Sequence, residues 1–193
     1  MSDSDSHSVP IANDDTVIAA TQHWIERAVI GLNLCPFARV PFAQGRVRCR
    51  VSHAADTDAL ARDLCDELEY LQSSDPVECE TTLLIHPWVL GDFDRFNDFL
   101  DVADALLCGL GLEGELQVAS FHPDYQFADA ESGAIENCTN RSPYPILHLL
   151  REASVERAVA MIDDPEAIYR RNIDTLNKLG FAGWNALFND DAG

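Results

Sequence analysis

The chain has little positive charge. Thirteen Lys and Arg stand against 33 Asp and Glu, giving a formal net charge of −20, and Lys178 is the single lysine. A nucleic-acid backbone needs a basic footprint, and so does an anionic membrane surface, so neither is expected as a partner. The sequence also lacks any apolar run approaching the roughly 18 residues that a membrane helix needs. Its N-terminal stretch, MSDSDSHSVPIANDD, is polar and acidic and carries no hydrophobic leader core. These absences together predict a cytoplasmic protein. Six cysteines occur, at positions 35, 49, 65, 79, 108 and 138, but no two form a C-x-x-C pair. The spacing of a zinc ribbon or a dithiol redox motif is therefore missing, and free thiols are expected in a reducing compartment.

What is present suits a globular core. Hydrophobic residues make up 47% of 193 positions, enough for one α/β domain over residues 14–188, preceded by a tail at 1–13 too polar to order. Val17, Ala20, Trp24 and Ala28 form the stripe of a first helix starting near Asp14–Thr16 and ending at Ile30. RVRCRV at Arg46–Val51 alternates with the period of a strand, its three arginines reading as a solvated face or a charge-protected edge. Asp56 or Thr57 caps a helix striped by Leu60, Leu64, Leu68 and Leu71. Thr81–Ile85 reads as a buried strand, Asp92 as the cap of another helix, and Glu115–Phe121 as a third strand. Strands separated by helices predict a small, mostly parallel sheet of about three to four strands flanked by helices. From about residue 145 the chain reads as all helical, beginning with Pro145 at a first helical position, then a helix capped by Ser154 and running to Ile162, then one opened by Asp164 and Pro165. FAGWNALF, at residues 181–188, reads as a short docking element.

Gly109, Gly111 and Gly114 match G-x-G-x-x-G literally. The match lies between a helix and a strand, whereas a dinucleotide loop follows a strand and opens a helix, so it is read as helix termination.

The polar chemistry concentrates between Ser120 and Arg151. That segment carries two His, two Arg, a Cys, two Asn, two Tyr and three Pro, residue types that build a core poorly. His122 follows the third strand and precedes Asp124 and Tyr125, which suits an acid/base group oriented by a carboxylate. Arg141 and Arg151, scarce cations in an acidic chain, suit an anion clamp near a helix start, with Asn140, Tyr144 and His148 shaping the pocket. His148 and Arg151, three apart, would share a helix face. Cys35, in a loop beside Pro36, is a candidate nucleophile or ligand. His53 and His86 also follow predicted strands, so parallel strands would bring three imidazoles to one sheet edge, a place where α/β sheets hold ligands and where imidazoles could bind a metal.

Three stretches, NLCPFA at Asn33–Ala38, ASFHPDYQFA at Ala119–Ala128 and NRSPYPILHLLRE at Asn140–Glu152, resemble the signatures of a bacterial family, the domain-of-unknown-function 1415 family. The resemblance spans roughly residues 16–180, and the acidic N-terminal tail and the C-terminal extension depart from it. It implies that Cys35, His122, Tyr125, Asn140, Arg141, His148 and Arg151 belong to the family pattern, and it supplies no activity to carry over, so the cofactor is left open.

Three functions fit these residues. The first is an enzyme acting on a small anionic molecule, with His122 as acid/base, Asp124 as its orienting group, Cys35 as a nucleophile and Arg141 and Arg151 holding the anion. The second is a metal-binding or redox protein using Cys35 and His122, with His86 or His148. The third is a non-catalytic interaction module in which the dense segment is a polar network locking strand to helix.

Overall fold

The computed structural model describes residues 13–161, 164 and 166–189. Residues 1–12, most of the expected disordered tail, lie outside them, as do Ile162 and Pro165, the positions read as one helix end and the next helix start.

Helix α1 (Asp14–Trp24) is opened by Asn13, whose side chain accepts from the Thr16 amide at 2.8 Å, and it continues as a π-helical turn over Ile25–Ile30. Gly31 follows it in helical conformation, at a place where a β-carbon would stand 2.3 Å from the Arg27 carbonyl oxygen, and Asn33 at φ 56° turns the chain out of the helix. A short helix α2 (Arg39–Ala43) precedes strand β1 (Val47–Val51). Helix α3 (Thr57–Ser73) is capped by Asp56 and helix α4 (Phe93–Gly109) by Asp92, each accepting from the third amide beyond it. Between them runs β2 (Thr81–Ile85), and α4 leads to β3 (Leu116–Phe121).

The next element corrects the sequence reading. Residues Ile146–Arg151 form strand β4, not a helix begun at Pro145. Helices resume only with α5 (Glu152–Ala160) and α6 (Glu166–Ala186). β4 inserts between β2 and β3, giving the order β1-β2-β4-β3. The sheet is thus not mostly parallel: β1 and β2 pair in parallel, while β2–β4 and β4–β3 are antiparallel. The expectation failed because the inserted strand runs against the other three. β1, β2 and β3 still point the same way, so His53, His86 and His122 do follow strands that end at one edge.

Two cores flank the sheet. On one face α3 and α4 bring Leu60, Leu64, Leu68 and Phe96 against Leu84, Leu147 and Leu149. On the other, α1, its π-turn and α6 bring Val17, Trp24, Ala28, Leu176 and Trp184 against Val51, Ile85 and Ile146. Burying one leucine side chain contributes about 2 kcal/mol, so the four fully buried stripe leucines of α3 outweigh its modest capping contribution. The arginines of the Arg46–Val51 stretch are not simply solvated. Arg48 makes two bonds to Glu67 of α3, at 2.8 and 3.0 Å, and stacks 4.3 Å over the Tyr70 ring, while Arg46 reaches Glu80 at 2.9 Å.

Helix α6 contains a break. Gly180 sits at φ 64° and ψ 172°, a backbone conformation that glycine adopts without the steric cost a side chain would add. The break aims the last turns, from Phe181 onward, back across α1. No helix among the described residues is long and apolar enough to cross a membrane.

Candidate functional site

The histidines of the dense segment are tied to the backbone. His122 is fully buried; its Nδ1 accepts from the Asp124 amide at 3.0 Å and its Nε2 lies 3.2 Å from the Leu90 carbonyl. Accepting at Nδ1 places the proton on Nε2 and makes the ring neutral, and burial lowers its pKa, an effect that Leu90, Asp124 and Asp92 partly offset. The Asp124 contact is therefore through its amide. His86 is also fully buried, with Nδ1 3.0 Å from the Val89 carbonyl, and burial pushes it down to about 4. The Phe96 ring lies between these two imidazoles, at centroid distances of 5.6 and 5.1 Å. Together they staple the loop 86–91, where Leu90 adopts φ 58°, a strained value for a branched side chain. His53 is separate: it pairs with Asp14 at 3.0 Å and stacks on Trp88 at 4.9 Å.

His148 and Arg151 belong to a strand, so a spacing of three sends them to opposite faces. His148 lies 2.7 Å from the Thr81 hydroxyl, which itself donates to the Leu149 carbonyl, and burial lowers the imidazole to about 4. Arg151 turns to the C-terminal end of α3 and gives hydrogen bonds to the carbonyls of Leu71, Ser74 and Cys79 at 2.7, 2.8 and 3.1 Å. Asn140 donates to the Ser120 carbonyl at 3.2 Å, and its own carbonyl accepts from the His122 amide. The Tyr144 carbonyl accepts from Ser142, and its side chain packs on the second core.

Cys35 sits on the α6 side of the sheet. Asn33, at φ 56°, turns the chain, and Arg171 and Asn172 donate to the carbonyls of Asn33 and Leu34 at 2.7 and 2.9 Å. Burial raises the Cys35 thiol, which works against thiolate formation. Leu34 packs in the α1/α6 core, whereas Phe96 beside His122 belongs to the α3/α4 core, so the cysteine and the histidine are held by opposite layers. Among the described residues, no three of His, Cys, Asp and Glu gather as a metal site would require.

Arg141 is also engaged internally, but it differs from these residues in lining an open concave space. Its Nε and one terminal nitrogen make long bonds, 3.4 and 3.3 Å, to the carbonyls of Tyr125 and Ser132. The guanidinium also lies against the Cys138 thiol, and no carboxylate among the described residues pairs with it. The side chain lines a groove of about 1000 Å³ between α1, the loops at Pro123 and at Ser142–Pro143, and the segment beyond Gly180. The opposite walls are aromatic: His23 and Trp24 from α1, and Phe181, Trp184 and Phe188. Asp15 and Asn185 add polar groups. Sequence reasoning assigned Trp24 to the core and passed over His23. The signal available was FAGWNALF, three aromatic rings within eight residues after a glycine.

The family model described as "Protein of unknown function (DUF1415)" matches residues 16–186, nearly the whole chain, and the chain belongs to that family. No curated protein and no solved structure matches it.

Proposed function

We propose that this member of the DUF1415 family binds a small organic anion in the groove beside α1, with Arg141 as the contact for the negative charge. The observation carrying this reading is that Arg141, alone among the cations and histidines of the dense segment, lines a sizeable concave space, where no carboxylate among the described residues pairs with its guanidinium. The neighbouring groups work differently in this reading. His122, His148 and Arg151 lock loop, strand and helix together, and Asn140 ties the segment to β3. His23 is then the acid/base candidate of the groove, in place of His122, should the anion be turned over. A cytoplasmic setting accords with six free cysteines, and a net charge of −20 speaks against nucleic acid.

The test is a screen of small carboxylates and phosphates by ligand-observed NMR, repeated with Arg141→Gln and with Arg95→Gln as a control outside the groove. The expected result is at least one anion bound at about millimolar affinity or better, weakened about 10- to 100-fold by the first substitution and unaffected by the second. Binding that survives Arg141→Gln, or no binding by any anion, rejects the proposal.

A further inference from the structure

The groove offers more than a charge. Four of its fifteen lining residues are Phe or Trp, against 8% aromatic residues in the chain, and His23 adds a fifth ring. Their contacts are edge-to-face, and one of the rings stays open to the groove. Phe188 meets Trp184 at 5.3 Å and 74°, and His23 at 6.4 Å and 63°, both edge-to-face. Phe181 is 43% exposed, although it lies on the same short segment as the nearly buried Trp184. A large ring left open beside a concave surface is an invitation to an apolar partner, and offset stacking adds to what burial alone provides.

The charges limit the anion. Arg141 is the single Arg or Lys of the lining, and Asp15 lines the same groove. One negative charge is matched by Arg141, while a second would face Asp15 and the acidic field of the whole chain.

We infer that the ligand class of this groove is an aromatic monocarboxylate, its carboxylate on Arg141 and its ring against Phe181, Trp184 and Phe188. This rests on the proposed anion site and specifies what occupies it.

Titration calorimetry with three probes tests it: 2-naphthoate, its fully reduced analogue decahydronaphthalene-2-carboxylate, and the dianion 2-naphthyl phosphate. The flat carboxylate should bind about three- to tenfold more tightly than the saturated one, and more tightly than the phosphate. Phe181→Leu, at an exposed position, should erase the preference for the flat ring while both carboxylates still bind, and Trp184→Leu should do the same if it folds. Arg141→Gln should weaken both carboxylates equally. If the saturated carboxylate binds as well as the flat one, and both still depend on Arg141, ring selection is wrong and the anion site stands. If 2-naphthyl phosphate binds tightest, the monoanion limit is wrong. If no probe binds, both the inference and the site beneath it fail.

Discussion

At the scale of single residues, the family signatures divide by what their polar atoms touch. Arg151 ends a helix: three carbonyls around the α3 terminus converge on one guanidinium nitrogen. Arg151→Met should cost about 2 kcal/mol in urea unfolding, because buried carbonyls lose a charged donor, and should leave anion binding unchanged. The two low-pKa histidines have a pH consequence. His86 stays neutral in the fold down to about 4, but in the unfolded chain it takes up a proton near 6.5. Between those values the unfolded state holds more protons, so the stability due to the neutral ring, complete above 6.5, is lost as pH falls toward 4. The loss amounts to about 3 kcal/mol for His86, and His148 adds a contribution of the same sign. Imidazole NMR signals of both residues should remain those of neutral rings at about pH 5.5 while stability declines; a protonated His86 in folded protein at that pH would contradict the argument. The sequence displayed all these polar residues, and their density drew attention to the correct stretch of chain. It did not reveal that most of them satisfy backbone groups, because a hydrogen bond from His122 to Leu90 joins positions that have no local relation.

Among the elements, strand β4 was the hardest to read. ILHLLR shows no clean alternation, because a strand paired on both sides and packed on both faces is apolar at nearly every position. Pro145 before it suggested a helix start. The capped helices and β1, β2 and β3 were legible, since each carries a period of 3.6 or 2 or a short apolar run between turn residues. Strand β3 is an outer strand of the sheet. The pairing of Glu152 with the Glu115 carbonyl sets the alternation, so Leu116, Val118 and Ser120 direct their backbone groups outward. Leu112 accepts from the Leu116 amide and Asn140 donates to the Ser120 carbonyl, which blunts the edge at both ends. Asn140→Ala should expose the Ser120 carbonyl and raise concentration-dependent association, measured by light scattering. Adding Val118→Pro, which removes the outward amide, should suppress it. Association unchanged by the first substitution would assign the edge protection elsewhere.

For the molecule as a whole, the charge sets how a ligand arrives. A body of −20 repels an anion at long range, whereas the contact with Arg141 is short-ranged and partly sheltered. Raising salt from about 10 mM to about 150 mM should therefore speed association of an anionic ligand, read by stopped-flow tryptophan fluorescence; slowing would mean that the local cation dominates the approach. The groove itself was poorly legible because it draws on both ends of the chain, and only folding brings Thr16 and His23 opposite Phe188. The break at Gly180 has a kinetic corollary for this wall. The helix before it is fastened by Asn172 and Leu176, both nearly or fully buried, while the stretch after it is anchored chiefly through Trp184. Hydrogen bonding is not continuous across the two pieces in the way of an unbroken helix, so the wall can unfasten without unwinding its predecessor. Its amides would then exchange with deuterium as a separate unit, faster than those around Leu176, and an occupied groove would slow that unit selectively.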